Sequence, residues 1–553
     1  MSVLTIDGSL FRLMVINGAI HLKQNSEKVN NLNVFPVPDG DTGSNMSATI
    51  INGARDVFEL EDKEIDKVAK VASRGLLMGA RGNSGVILSQ LFSGISKGLK
   101  GKSEVNVIEF AQALERGFQQ AYLAVINPVE GTILTVSKDA GLKLKSEIDH
   151  IHNFEELFDV YIKEAEESLD RTPDLLPVLK EVGVVDSGGA GYCEILYGMR
   201  DAIKGIMGDL RTIGLSSGEE VSVENDSEFV RQESLGYNLE ASIELNPNLV
   251  FDNIKFVSEI GKHSTNLEHQ VEGLKLSFNL HTSKPGDVLN VVTGYGLIKD
   301  LKVEIGEAKV TEKPVEEEPE ENVLDAYVKK QRSEFKEVGL VSVLTGDGIK
   351  KTFYELGCDY IIDGGQTMNP STEDFLNAVK EVNAASVIII PNNKNVFMSA
   401  ESAAKLIKNK KVMVLPAKTI AQGYASLLMF DSTLSIEENI EEMSEHIKNV
   451  KSGEVTYAIR DSIVNELKIR KDDFIGISEN KIVVNGIERL EVTKSLIDII
   501  DKEDAEIITV FYGATVSENE AQSIADYISN MYELEVEVIN GGQEIYSYIL
   551  AVE

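Results

Sequence analysis

The sequence predicts a multidomain protein: an all-α first part, a small α+β module in the middle and an α/β domain at the end. Three observations carry this reading. The chain has 553 residues, and a single hydrophobic core stops growing near ~250–300. Apolar spacing changes from helical to alternating to short buried runs along the chain. Two stretches poor in apolar residues separate these patterns.

The helical pattern fills residues 1–205. In VILSQLFSGI, residues Ile87, Leu88, Leu91, Phe92 and Ile95 share a helix face, as do Phe110, Leu114, Phe118, Tyr122 and Val125 further on. Thr172 before Pro173 reads as an N-cap followed by proline at the first helical position. Residues 206–225 form a linker of Gly, Ser and acidic residues. Residues 226–310, with Leu274, Leu276 and Phe278 alternating, form the α+β module. TEKPVEEEPEEN opens a second, acidic linker over 311–335, extended by its own charge. From 336 to 553, strands at Leu340–Leu344, Val387–Ile390 and Val412–Leu415 alternate with helical stretches, the βαβ pattern of a parallel sheet. Strands at Ile507–Phe511 and Val536–Ile539 add a second layer.

Composition narrows the function. The formal net charge is −36, which excludes a phosphate-rich partner such as DNA or RNA, since those need Lys and Arg clusters. No apolar run reaches the ~20 residues of a membrane span, so no integral membrane protein is expected. The N-terminus lacks a basic segment and reads as a folded helix, which with two distant cysteines, Cys193 and Cys358, makes a cytoplasmic location the expectation.

The chemistry is concentrated in LNVFPVPDGDTGSNM, residues 32–46. Asp39 and Asp41 place two carboxylates one residue apart on a glycine-flanked loop, the oxygen donors that Mg²⁺ takes together with substrate phosphates. Thr42, Gly43, Ser44 and Asn45 follow where a helix begins, a position suited to phosphate. An acidic turn with a helix cap is the plain alternative. Three further loops argue for the ligand: GARGNSG with Arg81, Gly82, Asn83 and Ser84; EGTILT with Gly131 and Thr132; and VVDSGGAGY with Asp186. Glycine lets backbone approach a ligand closely. There is no Walker A loop, no GxGxxG after a strand and no HExxH.

These loops resemble the nucleotide-binding L subunit of dihydroxyacetone kinases. Together with GGQTMNPSTEDF (364–375) and IIIPNNKNVFM (388–398) they make the whole chain similar to the large subunit of bacterial fatty acid kinases, whose C-terminal part resembles DegV-type lipid-binding proteins. The resemblance implies a helical barrel holding ATP and two Mg²⁺ ions. Asp39 and Asp41 fall on its metal ligands, and the other loop residues named above fall in its nucleotide-contacting loops. Asn33 stands where sugar kinases carry a further metal-binding aspartate, and Thr42 where they carry histidine. Arg81 is a candidate for neutralising transition-state charge, with a structural ion pair as its alternative. The implied reaction makes acyl phosphate from ATP and a fatty acid presented by a DegV-type fatty-acid-binding partner. A kinase for a small hydroxylated substrate and a non-catalytic nucleotide sensor are the alternatives. A homodimer is also implied. Some relatives carry Cys and His in the middle module; Asn238, Asn279 and His281 stand here instead, so no zinc is expected.

Overall fold

The structure, a computed structural model, describes residues 2–34, 37, 40–125, 127–215, 235–245, 256, 260, 265–272, 275–282, 285–307, 335–365, 369–464, 467–479, 481–503 and 505–553. It contains two compact units: Met1–Ser217 together with Asn322–Glu553, and Gly218–Glu321.

In the first unit, the N-terminal region is helical: α1 (Gly8–Asn30), α2 (Thr42–Phe58), α3 (Ile65–Met78), α4 (Gly82–Gly98), α5 (Val107–Ala124), α6 (Ile133–Glu147), α7 (Phe154–Leu175), α8 (Pro177–Val182) and α9 (Ser187–Ile203). Helix α1 packs on α2 and α9, α4 on α5, and α6 on α7. Phe11, Phe110, Phe154 and Phe158 are all but fully buried at its centre. Phe110 meets Phe154 edge-on with ring centroids 5.6 Å apart, a favoured aromatic geometry. Helices α4 and α5 approach through glycine: a Cβ at Gly94 would overlap the Arg116 carbonyl oxygen and lie 2.7 Å from Gly117 Cα.

Helix starts follow local chemistry. Asn106 and Glu109 form a capping box at α5, and Asn153 caps α7. Thr172-Pro173, expected to start a helix, does not. Both residues lie inside the last turn of α7, and the proline at a helix start is Pro177 of α8. Proline lacks the N–H that would reach the carbonyl four residues back. Thr172 Oγ1 donates to that carbonyl, Leu169 O, at 2.7 Å, so the turn survives.

The C-terminal region of the same unit contains two sheets. Strands β7 (Lys336–Leu344), β8 (Tyr360–Asp363), β9 (Ala384–Ile390) and β10 (Lys411–Val414) form a parallel sheet in the order β10-β9-β7-β8. The inner strands β7 and β9 are buried on both faces, with Leu340 and Ile388 in one core and Val341 and Ile389 in another. The second sheet runs β15-β14-β11-β18-β16-β17, antiparallel except for the β16–β17 pair. Here β11 is Lys451–Tyr457, β14 Phe474–Ser478, β15 Lys481–Gly486, β16 Ile507–Tyr512, β17 Glu535–Asn540 and β18 Tyr548–Val552. Helix α11 (Asp347–Glu355) follows β7, α12 (Thr372–Glu381) opens with a Ser371–Asp374 capping box, and α13 (Phe397–Leu406) follows β9.

The second unit is a four-stranded antiparallel sheet, β4-β5-β3-β6, with α10 (Pro285–Thr293). Its strands are β3 (Leu235–Leu245), β4 (Thr265–Glu272), β5 (Lys275–Thr282) and β6 (Gly296–Glu307). Leu276, Phe278 and Leu280 of β5 point to the core with Phe256, Val288 and Val292. Asn238 and His281 pair across the ladder, and Asn238 Oδ1 shares a 3.0 Å hydrogen bond with His281 Nδ1. Leu274 lies outside the described residues.

No helix among the described residues is long and apolar enough to cross a membrane.

Candidate nucleotide and metal site

The N-termini of α2, α4, α6 and α9 lie close to one another. Side chains tie them in a chain of contacts. Asn33 Oδ1 accepts from Thr42 Oγ1 at 2.7 Å and from Ser187 Oγ at 3.3 Å, joining the first loop to the fourth. Thr49 Oγ1 accepts from the Arg81 amide at 3.2 Å, joining α2 to the start of α4. Gly82 adopts φ +59°, and a Cβ there would come within 2.6 Å of Asn45 Nδ2. Only glycine takes up this conformation at so close an approach.

Asp186 joins the remaining pair. It caps α9, accepting from the Gly189 amide at 2.6 Å, and the Ile133 amide at the start of α6 also points at its carboxylate. Burial raises its pKa to about 6, against the lowering effect of those two amides. The Asp186 amide donates to Thr172 Oγ1 at 3.0 Å, so the hydroxyl that mends the proline turn also fixes this cap.

The third loop is braced from within. Gly131, at φ +82°, donates its amide to Thr135 Oγ1 at 2.8 Å. Thr132 caps α6. Glu130 gathers Thr135, Lys138 and Tyr122. Burial raises its pKa, but the hydrogen bonds from Lys138, Thr135 and Tyr122 outweigh this and lower it. In the first loop, Asn30 clasps Ser44 through its amide and hydroxyl at 3.1 and 3.0 Å, and the Asn45 amide donates to Asp41 O at 2.8 Å. Gly43 lies against α1, where a Cβ would strike Ser26 O. Asn83 Oδ1, at the start of α4, is buried with no hydrogen-bond partner among the described residues. Ser84 takes the third position of α4.

Asp41 precedes α2 without capping it. Its carboxylate instead accepts from Asn369 Nδ2, which comes from the C-terminal region. Arg81 also turns toward that region. Its Nη1 donates to Asn369 O at 2.8 Å and lies 3.8 Å from Asp374 Oδ2, and Arg81 bridges Ser371 in antiparallel fashion. Arg81 thus makes an ion pair and a hydrogen bond within the fold. Beside these residues lies a polar cavity of about 360 Å³ lined by Lys23, Ser44, Arg55, Arg81, Ser371 and Asp374 among others.

Asp39, one of the two carboxylates expected to bind metal, lies outside the described residues. Among the described residues no cluster of three or more His, Cys, Asp or Glu could hold a metal. The donors present, the Asp41 carboxylate and amide oxygens, are the hard oxygens that Mg²⁺ takes. Asn33 Oδ1 already accepts from two hydroxyls, so it could ligate only by releasing one.

The sequence reading missed Asn30 and Thr49, polar residues inside helices, and gave no part in the site to Glu130, which opens the EGTILT loop, or to Thr172. It also missed Asn369, although that residue stands inside one of the two distinctive C-terminal strings.

Residues 36–201 match the DAK2 domain, and residues 339–553 match the FakA-like C-terminal domain of fatty acid kinase. The chain is 41% identical to Protein YloV of Bacillus subtilis over 100% of both chains. It is 39% identical to an uncharacterized protein of Staphylococcus epidermidis over 99% of both. A solved structure of a fatty-acid-binding DegV family protein from Thermus thermophilus aligns at TM-score 0.31 and 14% identity, over 39% of this chain and 99% of that one.

Proposed function

Because the chain belongs to the family that joins a DAK2 domain to a FakA-like C-terminal domain, we propose that it transfers the γ-phosphoryl group of ATP to a fatty acid carboxylate. Its domains are those of an ATP-using phosphotransferase of the dihydroxyacetone kinase type. The observation that carries the finer reading is the chain of contacts joining the N-termini of α2, α4, α6 and α9, with Asp41 directly before α2. Each N-terminus presents partial positive charge and backbone donors, and together they favour a polyphosphate.

The chemistry asks little of the protein in proton transfer. A carboxylate is ionised at neutral pH. One of its oxygens bonds to the γ-phosphorus as the bond from that phosphorus to the β–γ bridging oxygen breaks, and ADP leaves with the electron pair. Alignment and charge neutralisation are what remain. Bound Mg²⁺ would supply charge neutralisation at the phosphates, held by Asp39 and Asp41. Thr42, Gly43, Ser44 and Asn45 would position the phosphates at α2, with Gly82, Asn83 and Ser84 at α4. Gly131 and Thr132 would shape the nucleotide pocket, and Asp186 would fix the distance between α6 and α9. Arg81 is assigned to docking of the C-terminal domain in place of transition-state charge. The acyl chain would arrive on a separate DegV-type lipid-binding partner.

The test is acyl phosphate formation with ATP, Mg²⁺, oleate and a DegV-type partner. Product should require all four and fall at least 100-fold in Asp41→Ala. Phosphorylation of dihydroxyacetone in place of oleate, or full activity in Asp41→Ala, would refute the assignment.

A further inference from the structure

We propose that the phosphoryl-transfer site is composite, with the C-terminal domain supplying Asn369 as the positioning residue that holds Asp41 ready for metal. The inference rests on the reading of Asp41 as a metal ligand and adds where its orientation comes from.

Three contacts from the C-terminal domain converge on the metal-binding loop. Asn369, 2% exposed, donates Nδ2 to Asp41 Oδ2. Arg460 donates to the carbonyl oxygens of Asn31, Asn33 and Val34. Val37, two residues before Asp39, is buried within the C-terminal core alongside Leu340, Ala458 and Val464. The loop therefore has its backbone gripped, its apolar side chain inserted and its carboxylate oriented by a single domain.

The chemistry suits a positioning role. A buried amide donor to a carboxylate favours the ionised form and fixes the rotamer. An Asn donor is neutral, so it orients Asp41 without cancelling the charge a cation needs; Lys or Arg there would compete with the metal. Outer partners of this kind are what hold metal-ligating carboxylates in place. Asn369 is itself held on both sides. Its carbonyl accepts from Arg81 at 2.8 Å, and the turn that follows is pinned by the Thr372 amide donating to Ala80 O at 3.2 Å. Asp41 makes no capping bond to α2, and its carboxylate turns to this partner instead.

The experiment measures Mn²⁺ affinity of the full chain by electron paramagnetic resonance without nucleotide, lipid or partner. Asn369→Ala should weaken Mn²⁺ binding by about 10-fold or more. Ser399→Ala, whose hydroxyl donates to Ala80 O at 3.4 Å across the same interface, should leave it unchanged. Asp41→Ala serves as the reference. If it binds Mn²⁺ like the parent, the metal reading fails, whatever Asn369 does. If Asp41→Ala loses binding while Asn369→Ala binds as tightly as the parent, or more tightly, the positioning role is overturned; tighter binding would mean the amide competes with the metal. Asn369→Ser, which leaves a smaller gap, carries the same comparison if the alanine variant does not fold.

Discussion

Asp186 shows how one side chain can serve the site at a cost to the fold. Its carboxyl has a pKa raised to about 6 by burial, so the folded state holds this proton more tightly than the unfolded chain does. The stability it contributes is full below pH ~4 and is lost as pH rises through about 6. The carboxyl is enclosed while the rest of the residue keeps part of its contact with solvent, so the loss should be on the order of 1–2 kcal/mol. Asp186→Asn removes this titration. Urea midpoints should therefore favour the variant over the parent more at pH 7.5 than at pH 4.5; a constant difference would contradict the shift. Cys193 and Cys358 are both buried, and burial pushes each thiol up to about 12. Neither can present a thiolate at neutral pH. Ellman's reagent should find no reactive thiol in the native protein and two after denaturation.

Between elements, the close crossings are the sensitive points. At Gly94 the neighbour of an added Cβ would be backbone of α5, which cannot step aside. Gly94→Ala should lower stability by about 1–3 kcal/mol, measured as a lower urea midpoint with an unchanged slope. The same scale explains what could be read in advance. Helices α4 and α5, the parallel-sheet strands β7 and β9, and the Ser371–Asp374 cap follow from apolar spacing and cap chemistry, which are local. Pro173 misled because its missing donor is repaired by the hydroxyl of Thr172, a compensation that needs the turn itself to be seen. The four glycine loops could be read as helix starts because glycine and helix caps leave local signatures. The ties between them, Asn33 to Ser187 and Asp186 to Ile133, span more than a hundred and about fifty residues of chain, and no local pattern encodes them.

At the scale of the whole molecule, charge is the dominant feature. A net charge of −36 opposes compaction, and at low ionic strength little screens it, since the Debye length is about 30 Å at 0.01 M and about 8 Å at 0.15 M. Thermal stability without divalent cations should rise between 10 and 150 mM NaCl; a fall would show that ion pairs such as Arg489–Glu520 outweigh self-repulsion. Positioning Asp41 through a distant domain also makes activity depend on the integrity of the whole first unit. Destabilising substitutions far from the helical region, in the core around Leu340 and Val464, should then weaken metal binding before they unfold α1–α9.

The grip of Arg460 on the loop at Asn31 joins residues 429 positions apart. On the ribosome, at about 5–20 residues per second, Asn31 is made roughly 20–90 s before the arginine that will hold it. Once Tyr192 is made, the nascent chain carries all four glycine loops without the domain that grips the first of them, so a message truncated before Arg460 would leave a helical region present but poorly armed. Late arrival of the clamp would keep unfinished chains from consuming ATP.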